Sequence, residues 1–441
     1  MNGWRERGVP EGGPEQRHIL FLQGPASPFF LRLGQALKTR GHRVTKINFN
    51  LGDVLFWPRE AKAWRGRFSR WQDHLAKQFE REGVTDLVLF GDCRSYHRVA
   101  IDLARTRGIA VHVFEEGYLR PNWITLERGG VNGFSALPNT PDQIRQGADG
   151  LEDAQMTRRS ASGLRNRVVW DVAYNLTTSA GRLVYPLYRH HRPWPVLLEY
   201  AFWLKRLALM PVEKRRSRAA LRALAKSEPG FFIFPLQLDS DFQIRVHADL
   251  NSMEEALQVI LRSFADHAPA NDHLVVKAHP LDNGLVDRRR QCRRLARAAG
   301  IEDRVLFIEG GNLSRLIDDS KGVVTVNSTS GMVALQQKRP VAVLGRAIYN
   351  IPGLTHQGSL DSFWSDPRRP KPDLLRDFVR LLQARALIHG SFFTDEGLEA
   401  AIEGAIERIE STKPEPRQLP LRESGRAPVS ATVTPRAVAA E

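Results

Sequence analysis

Gly322-Val-Val-Thr-Val-Asn-Ser-Thr-Ser-Gly-Met-Val-Ala-Leu335 is the stretch from which the rest of the chain can be read. Gly322 to Val326 is a short β-branched run of the kind that makes a buried parallel strand. Asn327-Ser-Thr-Ser-Gly331 supplies small hydroxyls and a flexible glycine, and Met332 to Gln336 has helix-forming residues. Strand, polar turn and helix together aim backbone N–H groups and the positive helix end at one spot, where a phosphate is well held. A plain helix cap in an α/β crossover uses the same residue types. Upstream, Val275-Val-Lys-Ala-His-Pro280 ends a second apparent strand with Lys277 and His279, which favours an anion site.

Working outward, the second half repeats one pattern. Gly230-Phe-Phe-Ile-Phe-Pro235 runs into Leu236-Gln-Leu-Asp-Ser-Asp241, a carboxylate cluster at a strand end. Met253 to Phe264 has helical spacing, His273 to Lys277 is a strand, and Arg304 to Ile308 is another, followed by Glu309-Gly-Gly311. With Val341 to Leu344 this makes about five parallel strands.

The first half begins the same way. His18 to Leu22, Gln23-Gly-Pro-Ala-Ser-Pro28, an apolar-periodic stretch from Phe29 to Thr39 and Val44 to Ile47 give the strand, turn, helix, strand order of a Rossmann-like domain. The turn is not GxGxxG, so nothing marks a dinucleotide site. Asn48-Phe-Asn-Leu-Gly-Asp53 should share the crevice edge with Gln23 and Gly24. Asp86 to Phe90 and Ile109 to Phe114 are two more strands, ending in Gly91-Asp-Cys-Arg94 and Glu115-Glu-Gly-Tyr-Leu-Arg120. Side chains alternate along a strand, so one of Glu115 and Glu116 should face the cleft. Trp57, Trp64 and Trp71 recur every seven residues among Arg65, Arg67 and Arg70. Read as one helix they form a stripe, facing either the core or a lipid or polyanion.

Between the halves the alternation breaks. Arg158, Arg159, Arg165 and Arg167 precede Trp170, Tyr174, Tyr185, Tyr188, Trp194, Tyr200 and Trp203, and a further basic run from Lys205 to Arg218 follows. Helices with interleaved cations and aromatics suit a membrane interface ahead of single-stranded nucleic acid, whose binding modules leave no signature here.

Composition sets the outer bounds. At 441 residues, 42% hydrophobic and 26% charged, the chain has room for two or three folded domains. A net charge of +15 points to a polyanionic partner. Cys93 and Cys292 are far apart without metal-type spacing, so two buried thiols are expected. There is no signal-peptide core and no apolar run long enough to span a bilayer. The expected location is cytoplasmic, lying against a membrane surface.

The reading is therefore α/β, with two Rossmann-like domains facing across a cleft in the GT-B manner. Its parts are a disordered stretch 1–16, an acceptor-side domain 17–150, a basic aromatic helical connector 151–226, a nucleotide-sugar domain 227–370, helices in 371–410 and a disordered tail 411–441.

Phe21-Leu-Gln-Gly-Pro25, Lys46-Ile-Asn-Phe-Asn50, Phe114-Glu-Glu-Gly-Tyr-Leu-Arg-Pro121, Pro235-Leu-Gln-Leu-Asp-Ser-Asp-Phe-Gln-Ile-Arg245, Lys277-Ala-His-Pro280 and Val324-Thr-Val-Asn-Ser-Thr-Ser-Gly331 resemble, in this order, the motifs of KpsS-type capsular polysaccharide export and biosynthesis proteins. The resemblance runs from about residue 18 to 395. It implies a bacterial β-Kdo transferase that takes Kdo from CMP-Kdo and starts the oligo-Kdo linker on a phosphatidylglycerol-type lipid. The donor linkage and the product are both β in that family, so retention by double displacement needs a carboxylate nucleophile and an acid/base group. Asp241 is the first choice of nucleophile and Asp239 the second, with Glu116 or Glu115 as acid/base. Lys277, His279, Pro280, Asn327, Ser328, Thr329 and Ser330 would hold the CMP phosphate, and Glu309 and Gly310 the ribose or cytosine. Arg120, Arg245, Gln237, Gln23, Gly24, Asn48 and Asn50 would meet the Kdo carboxylate or the acceptor. No cofactor or metal is expected, because the Asp239-Ser-Asp241 pattern belongs to the Gln-x-x-x-Asp motif. Expected partners are an anionic phospholipid, a companion Kdo transferase and the capsule export complex, with no nucleic acid. The rival functions are a non-catalytic export adaptor for lipid-linked polysaccharide and a GT-B enzyme using a UDP- or ADP-sugar.

Overall fold

The computed structural model describes residues 16–154, 163–190, 196–224, 230–238, 250 and 252–412. The stretches expected to be disordered, 1–16 and 411–441, lie almost entirely outside these residues, as do Arg158, Arg159 and Trp194.

Two sheets carry the molecule. The first contains β1 (His18–Phe21), β2 (Arg43–Asn48), β3 (Lys62–Ala63), β4 (Asp86–Phe90), β5 (Ala110–Glu116), β6 (Trp123–Arg128) and β12 (Leu387–His389). Their order is β12-β6-β5-β4-β1-β2-β3, with every strand running the same way except β6, which pairs antiparallel with both β5 and β12. The second contains β7 (Phe231–Pro235), β8 (His273–Lys277), β9 (Val305–Ile308), β10 (Gly322–Thr325) and β11 (Val341–Val343), in the order β11-β10-β7-β8-β9 and parallel throughout. Their continuous apolar runs follow from burial on both faces.

Alternation along the first sheet sorts its side chains into two cores. Leu20, Leu87, Leu89, Val111 and Val113 pack on α3 (Trp71–Glu82) and α4 (Ser95–Thr106). Ile19, Phe21, Val88 and Phe114 pack on α1 (Phe29–Thr39) and α14 (Asp395–Glu410). The Phe21, Phe29, Phe30, Phe114 and Phe392 rings meet mostly edge to face. The second sheet is likewise covered on one face by α8 (Met253–His267) and α9 (Arg288–Ala298). On the other it is covered by α10 (Leu313–Asp319), α11 (Ser330–Gln336) and α13 (Pro372–Arg385). Tyr118, Leu119 and Ile144 of the first half join that last core beside Phe378, Leu381 and Leu382, so an apolar seam ties the halves together. Ile144 comes from α5 (Pro141–Ala148), which packs on α13.

The chain ends by returning to its first domain. After α13, β12 pairs with β6 at the sheet's edge and α14 packs on α1. The connector consists of α6 (Leu164–Ala180) and α7 (Val196–Leu224). Two expectations change. Trp57, Trp64 and Trp71 do not share a helix. Trp57 caps the short α2 (Leu51–Phe56), Trp64 follows β3 and Trp71 opens α3. Pro58 and Gly66 break the spacing, and the indoles pack inward, Trp57 and Trp71 fully buried. The connector's aromatics also turn inward: Tyr174 and Tyr185 are buried, and Trp170, Tyr188, Tyr200 and Trp203 are only partly exposed. Cys93 and Cys292 are buried free thiols, as expected.

Candidate active site at the facing strand ends

In an open parallel sheet the ligand crevice lies beyond the carboxyl ends of the strands. The residues at those ends of the two sheets come near each other. From the first come Glu115 and Glu116 of β5 and the Gly117–Arg120 turn, and from the second Lys277 and His279 after β8. Arg120 and Arg167 act electrostatically on His279, so the two edges lie near each other.

Glu115 and Glu116 diverge as alternation requires. Glu116 takes ion pairs from Arg167 of α6 at 3.1 Å and Arg120 at 3.8 Å. Glu115 turns toward the end of β4, where Gly91, Asp92 and Arg94 lie, and its Oε1 accepts from the Glu116 N–H at 3.0 Å. Burial pushes the Glu115 carboxyl up to about 7, with the charges of Glu116 and Asp92 adding to it. Gly117 closes the turn to β6 so tightly that a Cβ there would lie 2.1 Å from the Trp123 carbonyl oxygen.

His279 is partly buried and lowered to about 4, by burial first and then by Arg120, Arg167, Arg206 and Lys277. At neutral pH it is a neutral ring. Its Nδ1 accepts from the Leu281 N–H at 3.1 Å, so the proton sits on Nε2, ready to donate to an anion. Lys277 is 5% exposed and lowered by burial and by Arg206, and its ammonium has no carboxylate partner among the described residues. A desolvated cation beside a neutral N–H donor suits a phosphate oxygen.

The polar turn after β10 is held from below. Ser328 N–H bonds Thr325 Oγ1 at 3.1 Å, Ser330 N–H bonds Ser328 Oγ at 3.2 Å, and the Tyr349 hydroxyl donates to the Ser328 carbonyl. The Ser330 hydroxyl is buried without a hydrogen-bond partner among the described residues, a polar group that a ligand or water would satisfy. Thr329 caps α11 without using its side chain. Gln237 and Asn327 exchange hydrogen bonds at 2.9 and 3.3 Å, joining the end of β7 to this turn. Asp239, Asp241 and Arg245, expected to supply the nucleophile and a substrate cation, lie outside the described residues. Pro280 follows His279 on the exposed rim.

Other expected site residues are already committed within the protein. Asp53 accepts from Tyr174 Oη at 2.9 Å, the Phe49 N–H at 2.8 Å and Gln23 Nε2 at 3.2 Å, and Asn50 Nδ2 donates to Tyr174 Oη at 3.1 Å. Asn48 Nδ2 donates to the Trp57 carbonyl at 3.0 Å, and Gly24 packs on Phe30. Gln23 and Asn50 thus pin α6 to the first sheet through Tyr174 and Thr178, while Asn48 holds the end of α2. Glu309 pairs with Arg206 at 3.9 Å and Arg289 at 3.6 Å, and Ser217 Oγ of α7 takes both the Glu309 and Gly310 N–H groups at 3.1 Å. The backbone expected to hold ribose or cytosine is therefore covered by a helix.

Sequence reasoning missed the part the connector plays. Arg167 and Arg206 lay within its basic runs, where a charge reads as a solvated face. Arg167 reaches Glu116, while Arg206 donates to the Asp282 and His279 carbonyls. A groove among Lys321, Arg339 and Arg369 sits at the opposite edge of the second sheet, and its Lys321 and Arg339 are paired with Asp272 and Asp318. Among the described residues no cluster of three His, Cys, Asp or Glu side chains is placed to hold a metal ion.

Residues 85–393 match the family described as capsule polysaccharide biosynthesis protein. The chain belongs to that family. Within it, the chain is 34% identical over 392 residues to the capsule polysaccharide modification protein LipB of Neisseria meningitidis, covering 86% of this chain and 92% of that one. It is 32% identical over 382 residues to the capsule polysaccharide export protein KpsS of Escherichia coli, covering 86% and 97%. Among solved structures, the Thermosulfurimonas dismutans KpsC, a beta Kdo 2,7 transferase, aligns over 89% of this chain and all of its own at 15% identity and a TM-score of 0.44. The family match spans β4 to the end of β12, so it contains both facing strand ends.

Proposed function

We propose that this capsule-family protein is a retaining β-Kdo transferase that moves Kdo from CMP-Kdo to a phosphatidylglycerol-type lipid. The observation that carries the reading is the opposition of a carboxylate pair, Glu115 and Glu116, to a neutral His279 and a desolvated Lys277. Lys277, His279 Nε2–H and the Ser328–Ser330 turn bind the donor phosphate and stabilise the charge that grows as CMP departs. Asp241 then forms the glycosyl–enzyme bond, with Asp239 as the alternative nucleophile. In the second step the acceptor hydroxyl loses its proton to a carboxylate and displaces Asp241. Glu115 fits that base, because a carboxyl near 7 accepts a proton at neutral pH and has no arginine ion pair among the described residues. Glu116 then orients Arg120 and Arg167 toward the Kdo carboxylate. No cofactor or metal enters this scheme. The acceptor places the protein on the cytoplasmic face of the inner membrane, where a companion Kdo transferase and the export complex would take the product.

Nucleotide binding tests the reading ahead of turnover. In a thermal-shift titration CMP should stabilise the protein, UDP and ADP should not, and Lys277→Ala should abolish the shift. A shift with UDP or ADP alone would assign another donor. No shift with any nucleotide would favour the export adaptor.

A further inference from the structure

Connector helices normally bury their apolar face, yet here aliphatic residues point outward. Val169 and Leu176 are exposed on one side of α6 at i and i+7, opposite the side that carries Arg167, Tyr174 and Thr178 inward. Leu183, 94% exposed, with Val184 and Leu187, extends that face past the helix end. On α7, Leu204, Leu207, Ala208 and Val212 line the outward side, while Arg206, Glu213 and Ser217 turn in toward the second domain. Leu204 is 69% exposed. Isolated surface leucines need no explanation, but so many on two helices that touch each other do.

The charge along α7 is also segregated. From Leu198 to Val212 its exposed residues are mostly aliphatic, Lys205 excepted, and beyond them Lys214, Arg215, Arg218 and Arg222 are exposed. Arg165 and Arg182 flank the α6 face. Acidic residues are sparse on both helices: Asp171, Glu199 and Glu213, of which Glu213 is bound to Arg216 and Arg289. An aliphatic strip bordered by cations matches the acyl boundary and headgroups of an anionic bilayer. A protein partner of ordinary composition would leave several of these cations unpaired. No described helix is long and apolar enough to cross a membrane, so the helices would lie in the interface plane.

We infer that the outward faces of α6 and α7 form a docking surface for an anionic lipid bilayer. The inward sides of the same helices deliver Arg167 and Arg206 to the two halves of the cleft, so docking sets the cleft at the lipid surface. The inference rests on the transferase reading only for what the membrane delivers; binding itself needs no turnover.

Vesicle co-sedimentation of the full chain tests it. Wild type should bind phosphatidylglycerol-containing vesicles and bind pure phosphatidylcholine vesicles weakly. Leu176→Glu with Leu204→Glu should lower binding by about tenfold or more, the cost of losing two buried leucines. Lys214→Glu with Arg218→Glu should lower it on the anionic vesicles only. Both pairs are exposed, and unchanged CMP stabilisation would show that the fold and donor site are intact. Wild type that fails to sediment, or leucine variants that bind like wild type, would overturn the inference. A vesicle-free dimer broken by the leucine changes would also overturn it, assigning the face to a second copy. Loss of CMP binding in wild type with sedimentation intact would sink the transferase reading and leave the docking surface standing.

Discussion

Glu115 and Glu116 are adjacent in the chain and opposite in circumstance. The pleat sends Glu116 to two arginines and Glu115 into the end of β4, where burial holds its carboxyl near 7. A base of that pKa is protonated below 7 and active above it. Transfer should therefore rise with pH through about 7, and a rise centred near 4 would assign the role to a different carboxylate. His279, lowered to about 4, should contribute no inflection between pH 5 and 8. Gly331 gives a second test at this scale. A Cβ there would lie 2.4 Å from the Tyr349 hydroxyl that holds the Ser328 carbonyl. Gly331→Ala should displace Tyr349, loosen the turn and weaken CMP binding with little loss of fold, measured by titration beside an unfolding curve. Unchanged CMP affinity would remove the turn from the donor site.

At the scale of elements, the parallel strands were legible because strands buried on both faces are written as unbroken apolar runs, such as Phe231 to Phe234 and Val323 to Val326. The ends of those strands, with Lys277, His279, Glu115 and Glu116, were legible for the same reason. The antiparallel edge was not. Trp123–Arg128 forms a local hairpin with β5 and was not read as a strand, and Leu387–His389 has three residues and joins the sheet only by pairing with β6 across more than two hundred and fifty positions. The connector's helices were visible, but inside and outside were exchanged: its rings pack inward and its aliphatics face out. Sequence spacing gives a helix its faces without saying which face finds a partner. Asp53 carries the α6 anchor, taking hydrogen bonds from Gln23, Phe49 and Tyr174 beside Lys46, a buried lysine lowered to about 8. Asp53→Ala should cost about 2–4 kcal/mol by leaving these donors and a buried cation unmatched. Equilibrium unfolding would check it, and a loss under about 0.5 kcal/mol, the size of an ordinary surface change, would refute the anchor.

For the whole molecule, the return of β12 and α14 to the first sheet, the Tyr118–Phe378 seam and the connector's arginines fix how the two halves face each other. That arrangement is what brings the Glu115–Glu116 edge and the Lys277–His279 edge near each other. The most direct test is transfer from CMP-Kdo to a fluorescent phosphatidylglycerol analogue by wild type, His279→Ala, Asp241→Ala and Glu115→Gln. The account predicts a Kdo-bearing product from wild type and its loss, by about a hundredfold or more, in each variant. Folded wild type that binds CMP yet yields no product, or variants that all retain full activity, would contradict it.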